Sequence, residues 1–228
     1  MKFLLTNDDG IAADGLAALA TAASSFGESV VVAPAAPQSG MSHVVTWDAR
    51  VRLENRGTDR FAVHGTPADC ARLGLLRVAA DAGWVLSGIN HGGNLGADIY
   101  YSGTVAAVRE GVLHGWPGIA FSHYLKQQPI DWARVAGWAA RVLAELLPRA
   151  IEPGLFYNVN FPHLRPEEAE PAIVFCPLDP SPLPLSYRRE EEDHHVYDGV
   201  YASRRRVAGR DIDICFGGQI AVTEMRLF

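Results

Sequence analysis

Two short apolar runs near the start of the chain, separated by a helix pattern, constrain its fold more than any other feature. The runs KFLLT (residues 2–6) and SVVVAP (29–34) are bounded by turn residues, and DGLAALATAASSFG between them carries apolar residues at helical spacing. Neither run alternates with polar residues, which is typical of strands buried on both faces of a parallel sheet. The start of the chain therefore predicts a βαβ unit and an α/β fold.

Strand and helix patterns continue to alternate as far as residue 162. GWVLSGIN (83–90), GIAFSHY (118–124) and LFYNVNFP (155–162) each predict a buried strand. TVAAVREGVLHG (104–115) predicts a helix, and so does IDWARVAGWAARVLAELLP (130–148), where Asp131 can serve as N-cap. The second helix carries an apolar stripe that we expect to face the core, formed by Trp132, Val135, Trp138, Val142 and Leu146.

Beyond Pro162 the chain becomes rich in proline and mixed charge, and it loses the helical period. Short β-like pieces in this part predict a C-terminal β-hairpin arm with little regular core. We interpret residues 1–162 as the catalytic core and residues 163–228 as an arm and closing strand of the same domain. His194, His195 and the run from Arg204 to Arg206 are interpreted as solvated charged positions.

Composition excludes several classes of function. The 228 residues carry a formal net charge of −6, which leaves no basic excess for general nucleic-acid binding. No stretch approaches the roughly 20 apolar residues of a membrane span, and KFLL is too short for a signal-peptide core. Three cysteines without CxxC spacing argue against a disulfide framework and a zinc site. We expect a cytoplasmic protein with no membrane or specific nucleic-acid partner.

Three polar loops follow strands of the predicted parallel sheet. Asp8 and Asp9 follow the first strand, PAAPQSGMSH (34–43) follows the second, and GINHGGNLGADIYYSGT (88–104) follows a later one. In open α/β sheets, ligands bind outside the carboxyl ends of the strands. We therefore expect these three loops to meet in one place.

The adjacent carboxylates of Asp8 and Asp9 repel each other unless a cation lies between them or one of them is protonated. A divalent metal is the simplest explanation. Carboxylates, a hydroxyl such as Ser39 and an amide such as Asn90 are hard oxygen donors that suit Mg²⁺, Mn²⁺ or Ca²⁺. The alternative is that the two aspartates are turn and N-cap residues without a ligand.

The third loop adds an anion site to this prediction. Its glycines, Gly88, Gly92, Gly93 and Gly96, allow the backbone to approach a ligand closely. Ser102, Gly103 and Thr104 then stand where a helix begins, so free backbone N–H groups and the helix dipole can hold an anion. A metal beside an anion cradle indicates phosphate chemistry, whereas the alternative is an ordinary glycine-rich loop with a Ser/Thr cap.

The sequence lacks the complete motifs of several other phosphate-binding and hydrolase families. GIAADGLA has the G-x4-G spacing of a P-loop, but Leu16 and Ala17 stand where Lys and Ser/Thr are required, and no GxGxxG follows the first strand. A phospho-receiver domain also carries an acidic pair after its first strand, yet WVLSGIN offers no phospho-acceptor aspartate. The GxSxG nucleophile elbow is absent. His43 could approach the pocket, but a loop or core position is the favoured interpretation, whereas His91, inside the glycine-rich loop, could contact a substrate.

Five blocks resemble the SurE family, the survival-protein 5'/3'-nucleotidases. They are LLTNDDGI, VVAPAAPQSGMSH, HGTPADC, VLSGINHGGNLGADIYYSGTVAAVREG and NVNFP. Their order and approximate spacing match from Met1 to about Pro162, and this succession is much more specific than any single block. The end of the chain departs from the pattern, with GGQIAVTEMRLF where the family has a GYVSITPL-like strand, and residues 167–210 match only in outline.

The resemblance implies a metal-dependent phosphomonoesterase that hydrolyses nucleoside 5'- and 3'-monophosphates. It implies a Rossmann-like three-layer sandwich with a protruding arm that pairs subunits into a homodimer or homotetramer. One Mg²⁺ or Mn²⁺ ion per subunit would be held by residues that match the family's ligands, Asp8, Asp9, Ser39 and Asn90. Asp8, Asp9 and Asn90 would also be the catalytic residues. The phosphate pocket would be lined by the matching residues Asn94, Ser102, Gly103 and Thr104.

A second function stays open at this point. The chain could be a catalytically weak nucleotide- or phosphate-binding protein that acts through its oligomeric arm as a sensor. The presence of all four matched ligand positions argues against this alternative.

Overall fold

One nine-stranded sheet organises the chain. The computed structural model describes residues 1–126 and 129–228. The strands are β1 Lys2–Thr6, β2 Glu28–Pro34, β3 Arg52–Asn55, β4 Arg60–His64, β5 Trp84–His91, β6 Gly118–His123, β7 Leu155–Phe161, β8 Ile173–Phe175, β9 Tyr187–Glu191, β10 His194–Tyr197 and β11 Ile220–Arg226. The helices are α1 Asp14–Ala23, α2 Pro67–Leu73, α3 Gly103–Leu113, α4 Trp132–Leu146 and α5 Asp211–Phe216, and shorter helical turns span Gly74–Val78, Gly96–Tyr100 and Tyr201–Ser203.

The central strands are parallel, so their carboxyl ends share one edge of the sheet. β4, β2, β1, β5, β6 and β7 pair in parallel in that order. The outer strand β3 is antiparallel to β4, and β11 is antiparallel to β7 but parallel to β8. This topology places the loops after β1, β2 and β5 together.

Helices cover both faces of the sheet because successive strand residues point to opposite sides. On one face α1 and α4 pack on residues that include Phe3, Leu5 and Phe121. The other face of the sheet includes Leu4, Val85 and Ala120, and α2 and α3 pack over it. The predicted Rossmann-like three-layer sandwich with a mostly parallel sheet and a C-terminal hairpin is confirmed.

Each strand and helix predicted before residue 162 is found. The N-cap prediction for α4 is also confirmed, because the Asp131 carboxylate accepts a hydrogen bond from Arg134 N at 3.0 Å. Of the predicted stripe, Trp132 alone is only partly buried.

Sequence reasoning missed β3, β4 and α2. Thr66 and Asp69 form a reciprocal capping box at the start of α2, and this TPAD signal could have predicted the helix. β3 is a short, polar strand at the sheet's edge, and β4 is a five-residue strand with three apolar residues between Arg60 and His64, so both patterns are weak.

The C-terminal part contains more packed structure than expected. β8 and β11 extend the main sheet, and Asp179, Asp211 and Ile212 are fully buried. Only β9 and β10 form a separate, exposed two-stranded hairpin. His194 and His195 lie on this hairpin and are exposed, as predicted. Among the described residues, no helix combines the length and hydrophobicity needed to cross a membrane.

Close approach of α1 to β5 requires glycine at position 15. A Cβ atom there would lie 1.9 Å from the carbonyl oxygen of Ile89 and 3.0 Å from Cη2 of Trp132. The first turn of α1 therefore lies directly against the end of β5, the strand that carries Asn90.

Gly15→Ala should lower the free energy of unfolding by at least about 2 kcal/mol, because α1 must move away from the Ile89 carbonyl. Gly137→Ala is the matched control: Gly137 lies inside α4, and a Cβ atom there would have no neighbouring atom within 4 Å. Alanine there should stabilise the protein by about 0.5–1 kcal/mol through helix propensity. Urea unfolding of both variants measures the difference, and equal effects would contradict the packing.

Candidate functional site

A cleft of about 250 Å³ lies at the carboxyl ends of β1 and β5. Six of the eight residues predicted for the site line it: Asp8, Asp9, Ser39, Asn90, Asn94 and Ser102. The other two, Gly103 and Thr104, lie in the first turn of α3, in contact with Asp8. The structure thus brings together all eight residues from three loops that are distant in sequence.

The acidic pair is held in a defined orientation. The side-chain oxygen of Asn7 accepts a hydrogen bond from Gly10 N, and its amide donates to the Gly10 carbonyl, which closes the turn around the pair. Thr104 Oγ1 donates to Asp8 Oδ1 at 2.5 Å, and the backbone N–H of His91 donates to Asp9 Oδ2 at 3.0 Å. Asp8 is buried and Asp9 is half-buried.

The electrostatics of the pair favour a cation. Burial raises the pKa of Asp8 to about 6, the Thr104 hydroxyl opposes this shift, and the negative charge of Asp9 adds to it. Within residues 1–126 and 129–228, no salt bridge reaches either carboxylate. The structure therefore contains a buried negative charge that no described basic side chain neutralises.

Two further donors complete an oxygen-rich set. Asn90 Nδ2 donates to the Gly92 carbonyl at 2.8 Å, so the amide oxygen is the end of this side chain that remains available to a ligand. Ser39 is exposed on the loop after β2. Two carboxylates, an amide oxygen and a hydroxyl fit a hard divalent cation. The described residues contain no cluster of three or more His, Cys, Asp or Glu side chains suited to a metal, so a metal here depends on the amide and hydroxyl.

The start of α3 lies against Asp8. A Cβ atom at Gly103 would lie 2.8 Å from Cβ and 3.0 Å from Oδ2 of Asp8, so only glycine permits this approach. Ser102 caps the helix by accepting a hydrogen bond from Val105 N at 3.1 Å. The positive end of the α3 dipole therefore faces the cleft beside the acidic pair, which allows it to hold an anion.

Hydrogen bonds with residues of β6 and β7 hold Asn94 in place. Its backbone N–H donates to Asn160 Oδ1 at 2.8 Å, its carbonyl accepts from Asn158 Nδ2 at 2.8 Å, and its amide donates to Ser122 Oγ at 2.7 Å. All four side chains are buried. These supporting residues were missed, although alternating asparagines inside the apolar strand LFYNVNF are a detectable signal.

Asp98 is a third carboxylate in the cleft, and the C-terminal segment holds it. Tyr201 OH and Arg204 Nη1 donate to Asp98 Oδ2 at 2.6 and 2.7 Å. Burial and the nearby Asp98 raise the pKa of Tyr201, so its hydroxyl remains a donor. The prediction that Arg204 is solvated is wrong, because its side chain is 0% exposed. A buried carboxylate required a cation, and the chain supplies it from 106 residues away.

His43 ties the Ser39 loop to α3 instead of entering the cleft. Its Nε2 lies 2.7 Å from Oε2 of the buried Glu110, which also pairs with Arg72 and His114. Ser42 adds two hydrogen bonds to the carbonyls of Tyr100 and Tyr101. Burial alone would raise the pKa of Glu110, but hydrogen bonds from His43 and Arg72 outweigh it and lower the pKa to about 2.

Known proteins resemble this chain in sequence and in fold. Residues 3–179 match the family described as "Survival protein SurE". The chain belongs to the SurE family. Its sequence is 50% identical over 228 residues to "Putative 5'-nucleotidase alr3139" of Nostoc sp., covering 100% of both chains. It is 36% identical over 237 residues to "5'-nucleotidase SurE" of Methylorubrum extorquens, covering 100% of this chain and 93% of the relative.

A solved member of the SurE family has the same fold. The crystal structure of the SurE protein from Aquifex aeolicus superimposes with a TM-score of 0.88 at 33% identity, covering 100% of this chain and 94% of that one. The agreement extends over the C-terminal part, where the sequence blocks matched only loosely.

Arg204→Met in this SurE chain should lower the free energy of unfolding by about 3 kcal/mol, because it leaves the buried Asp98 carboxylate without its cation. Arg205→Met is the matched control, since the neighbouring side chain is exposed and should change stability by less than about 0.5 kcal/mol. Chemical denaturation followed by circular dichroism measures both. Equal free energies of unfolding for the two variants would contradict the ion pair between Arg204 and Asp98.

Glu110→Gln should lower the free energy of unfolding by about 2 kcal/mol or more at pH 7. The pKa of Glu110 is about 2 in the folded chain against an ordinary 4.5, so the stabilisation is fully present above pH 4.5 and is lost as the pH falls towards 2. At pH 3 the difference in the free energy of unfolding between the variant and the native chain should be less than half of its value at pH 7. Glu145→Gln, which breaks an exposed ion pair, should cost below about 1 kcal/mol at either pH. A difference independent of pH would contradict the role of the charge.

Proposed function

We propose that this protein is a metal-dependent phosphomonoesterase that hydrolyses nucleoside 5'-monophosphates, and 3'-monophosphates as well, to nucleoside and phosphate. The observation that carries the proposal is an acidic pair, unpaired among the described residues, packed against the free N-terminus of α3. Such a site favours a cation at the acidic pair and an anion at the helix N-terminus. A phosphate monoester could therefore place its anionic phosphate next to a bound metal ion. Relatives named 5'-nucleotidase support the nucleoside part of the substrate.

Asp8, Asp9, Ser39 and Asn90 would hold one divalent cation per subunit, Mg²⁺ or Mn²⁺. When bound, the cation would polarise a phosphoryl oxygen and lower the pKa of the attacking water. Thr104 and the His91 N–H keep the two carboxylates in orientation through their hydrogen bonds. Asn90 is oriented in the same way by its bond to the Gly92 carbonyl.

The start of α3 would bind the remaining phosphate oxygens. The backbone N–H groups of the first turn of α3 have no intrahelical acceptor, and that of Thr104 also stabilises the Asp8 carboxylate. Asn94, held by its three buried partners, adds a further polar group to the lining of the cleft. Because these groups are held before the substrate arrives, they stabilise developing charge without reorganising. Asp8 and Asp9 are the candidate acceptors for the proton of the attacking water.

The exposed hairpin β9–β10 is the proposed pairing surface for a homodimer or homotetramer. Tyr187 and Tyr197 are 60% and 45% exposed on it, and an isolated two-stranded hairpin is only marginally stable in water. A partner copy would cover these rings. The three free, buried cysteines fit the reducing cytoplasm proposed as its location.

Asp8→Asn and Asn90→Ala should each reduce metal-dependent phosphate release by at least about a hundredfold, because each removes a group that orients charge at the reacting centre. The substrates are a panel of nucleoside 5'- and 3'-monophosphates with Mn²⁺, Mg²⁺ or EDTA. Asp48→Asn, an exposed aspartate away from the cleft, is the matched control and should keep native rates.

A native chain that stays folded yet releases no phosphate from any monophosphate with any metal would overturn the phosphatase proposal. Stabilisation by nucleotide without turnover would then favour the second candidate, an oligomeric nucleotide-binding sensor.

A further inference from the structure

A second cleft of about 270 Å³ adjoins the first one. It is lined by Asp9, Ala13, Asp14, Gly15, His91 and Trp132. Asp9 and His91 line both clefts, so the two clefts meet at these residues. Of the residues proposed for the metal and the phosphate, only Asp9 lines the second cleft.

Aromatic side chains form one wall of this second cleft. His91 is exposed, and its ring centroid lies 6.4 Å from that of Trp132 with the planes tilted by 41°. Aromatic rings stack at centroid distances of about 4.5 Å or more, so no further ring fits between these two. A planar group can therefore pack only from the open side of the cleft.

The Trp132 ring is held firmly on its buried side. The buried ring of His123 lies 6.3 Å away and itself stacks on Trp138. Burial, together with the nearby His163 and His91, lowers the pKa of His123 to about 3, so this ring is neutral and packs as an aromatic group. Gly15 allows α1 to reach the edge of the indole. Trp132 is thus a fixed platform, which reduces the entropy lost when a ligand binds.

The charge of the residues that line the second cleft determines which part of a phosphate monoester can bind there. The carboxylates of Asp9 and Asp14 both line it, and the described part of the chain contributes no lysine or arginine to the lining. A phosphate group would be repelled there. A neutral group with hydrogen-bond donors, such as the amino group of a base or a sugar hydroxyl, would find acceptors.

We infer that the second cleft binds the nucleoside part of the substrate, with the base packed against Trp132 and His91. This inference rests on the proposed function, because it assumes that the phosphate occupies the first cleft. Trp132 then determines specificity: it contributes to binding of nucleoside monophosphates and contributes nothing to esters without a base. Tyr101 and Leu183 line only the first cleft and are not part of this assignment.

The test compares kcat/KM for adenosine 5'-monophosphate and ribose 5-phosphate, which share the sugar phosphate and differ at C1, where adenine is replaced by a hydroxyl group. In Trp132→Ala the ratio of the two values should fall about tenfold, the size of a lost base–aromatic stack, and Trp132→Phe should recover most of it. Trp47→Ala is the matched control, because Trp47 is 81% exposed and outside both clefts, and its ratio should stay native. If Trp132→Ala does not fold, His91→Ala replaces it with the same expected direction.

Equal losses for both esters, or no loss for either, would overturn the inference. A ratio that falls only in Tyr101→Ala would also overturn it and would place the base beside Tyr101 in the first cleft. Binding of free adenosine, which has no phosphate to release, separates the two proposals. At least fivefold weaker adenosine binding by Trp132→Ala supports the nucleoside cleft even if the native chain hydrolyses no ester. Equal adenosine binding by native and variant chains refutes the cleft even if the phosphatase proposal holds.

Discussion

The contact between the buried Asp8 carboxylate and the first turn of α3 is the constraint on which the site depends. Gly103 lets the helix approach, and the Thr104 hydroxyl donates to the carboxylate. This contact places a negative charge and the positive end of a helix dipole on the same small cleft. Parallel pairing of β1 with β5 makes it possible, because the loops after both strands then leave the sheet at one edge.

Networks of buried polar side chains fix the positions of the other cleft residues relative to that contact. Asn158 and Asn160 hold Asn94, Arg204 and Tyr201 hold Asp98, and Glu110 holds the loop that carries Ser39 through His43. Each network joins segments far apart in sequence. A half-satisfied buried network is costly, so these bonds specify one arrangement of the loops as well as adding stability. The C-terminal segment is consequently part of the site's support, whereas only its hairpin projects as an arm.

The two adjoining clefts differ in chemistry. The first combines carboxylates with a helix N-terminus, and the second combines carboxylates with aromatic rings. Under the proposed function, the phosphate would bind where the helix dipole and a cation offset the acidic groups. The base would bind where Trp132 and His91 offer an aromatic surface. Asp9 stands at the boundary and belongs to both.

The sequence by itself determined the parallel core and the reactive groups, because both are local patterns. Continuous apolar runs predicted β1, β2, β5, β6 and β7, and the acidic pair, the glycine-rich loop and the α3 start are contiguous motifs. Only the tertiary structure decided that Arg204 is buried against Asp98, that His43 binds Glu110 and that Trp132 borders a cleft. Periodicity reports which face of an element is apolar, but it does not identify the distant partner that neutralises a charge. Those pairings arise from the packing of segments about 67 to 106 residues apart, and no local pattern encodes them.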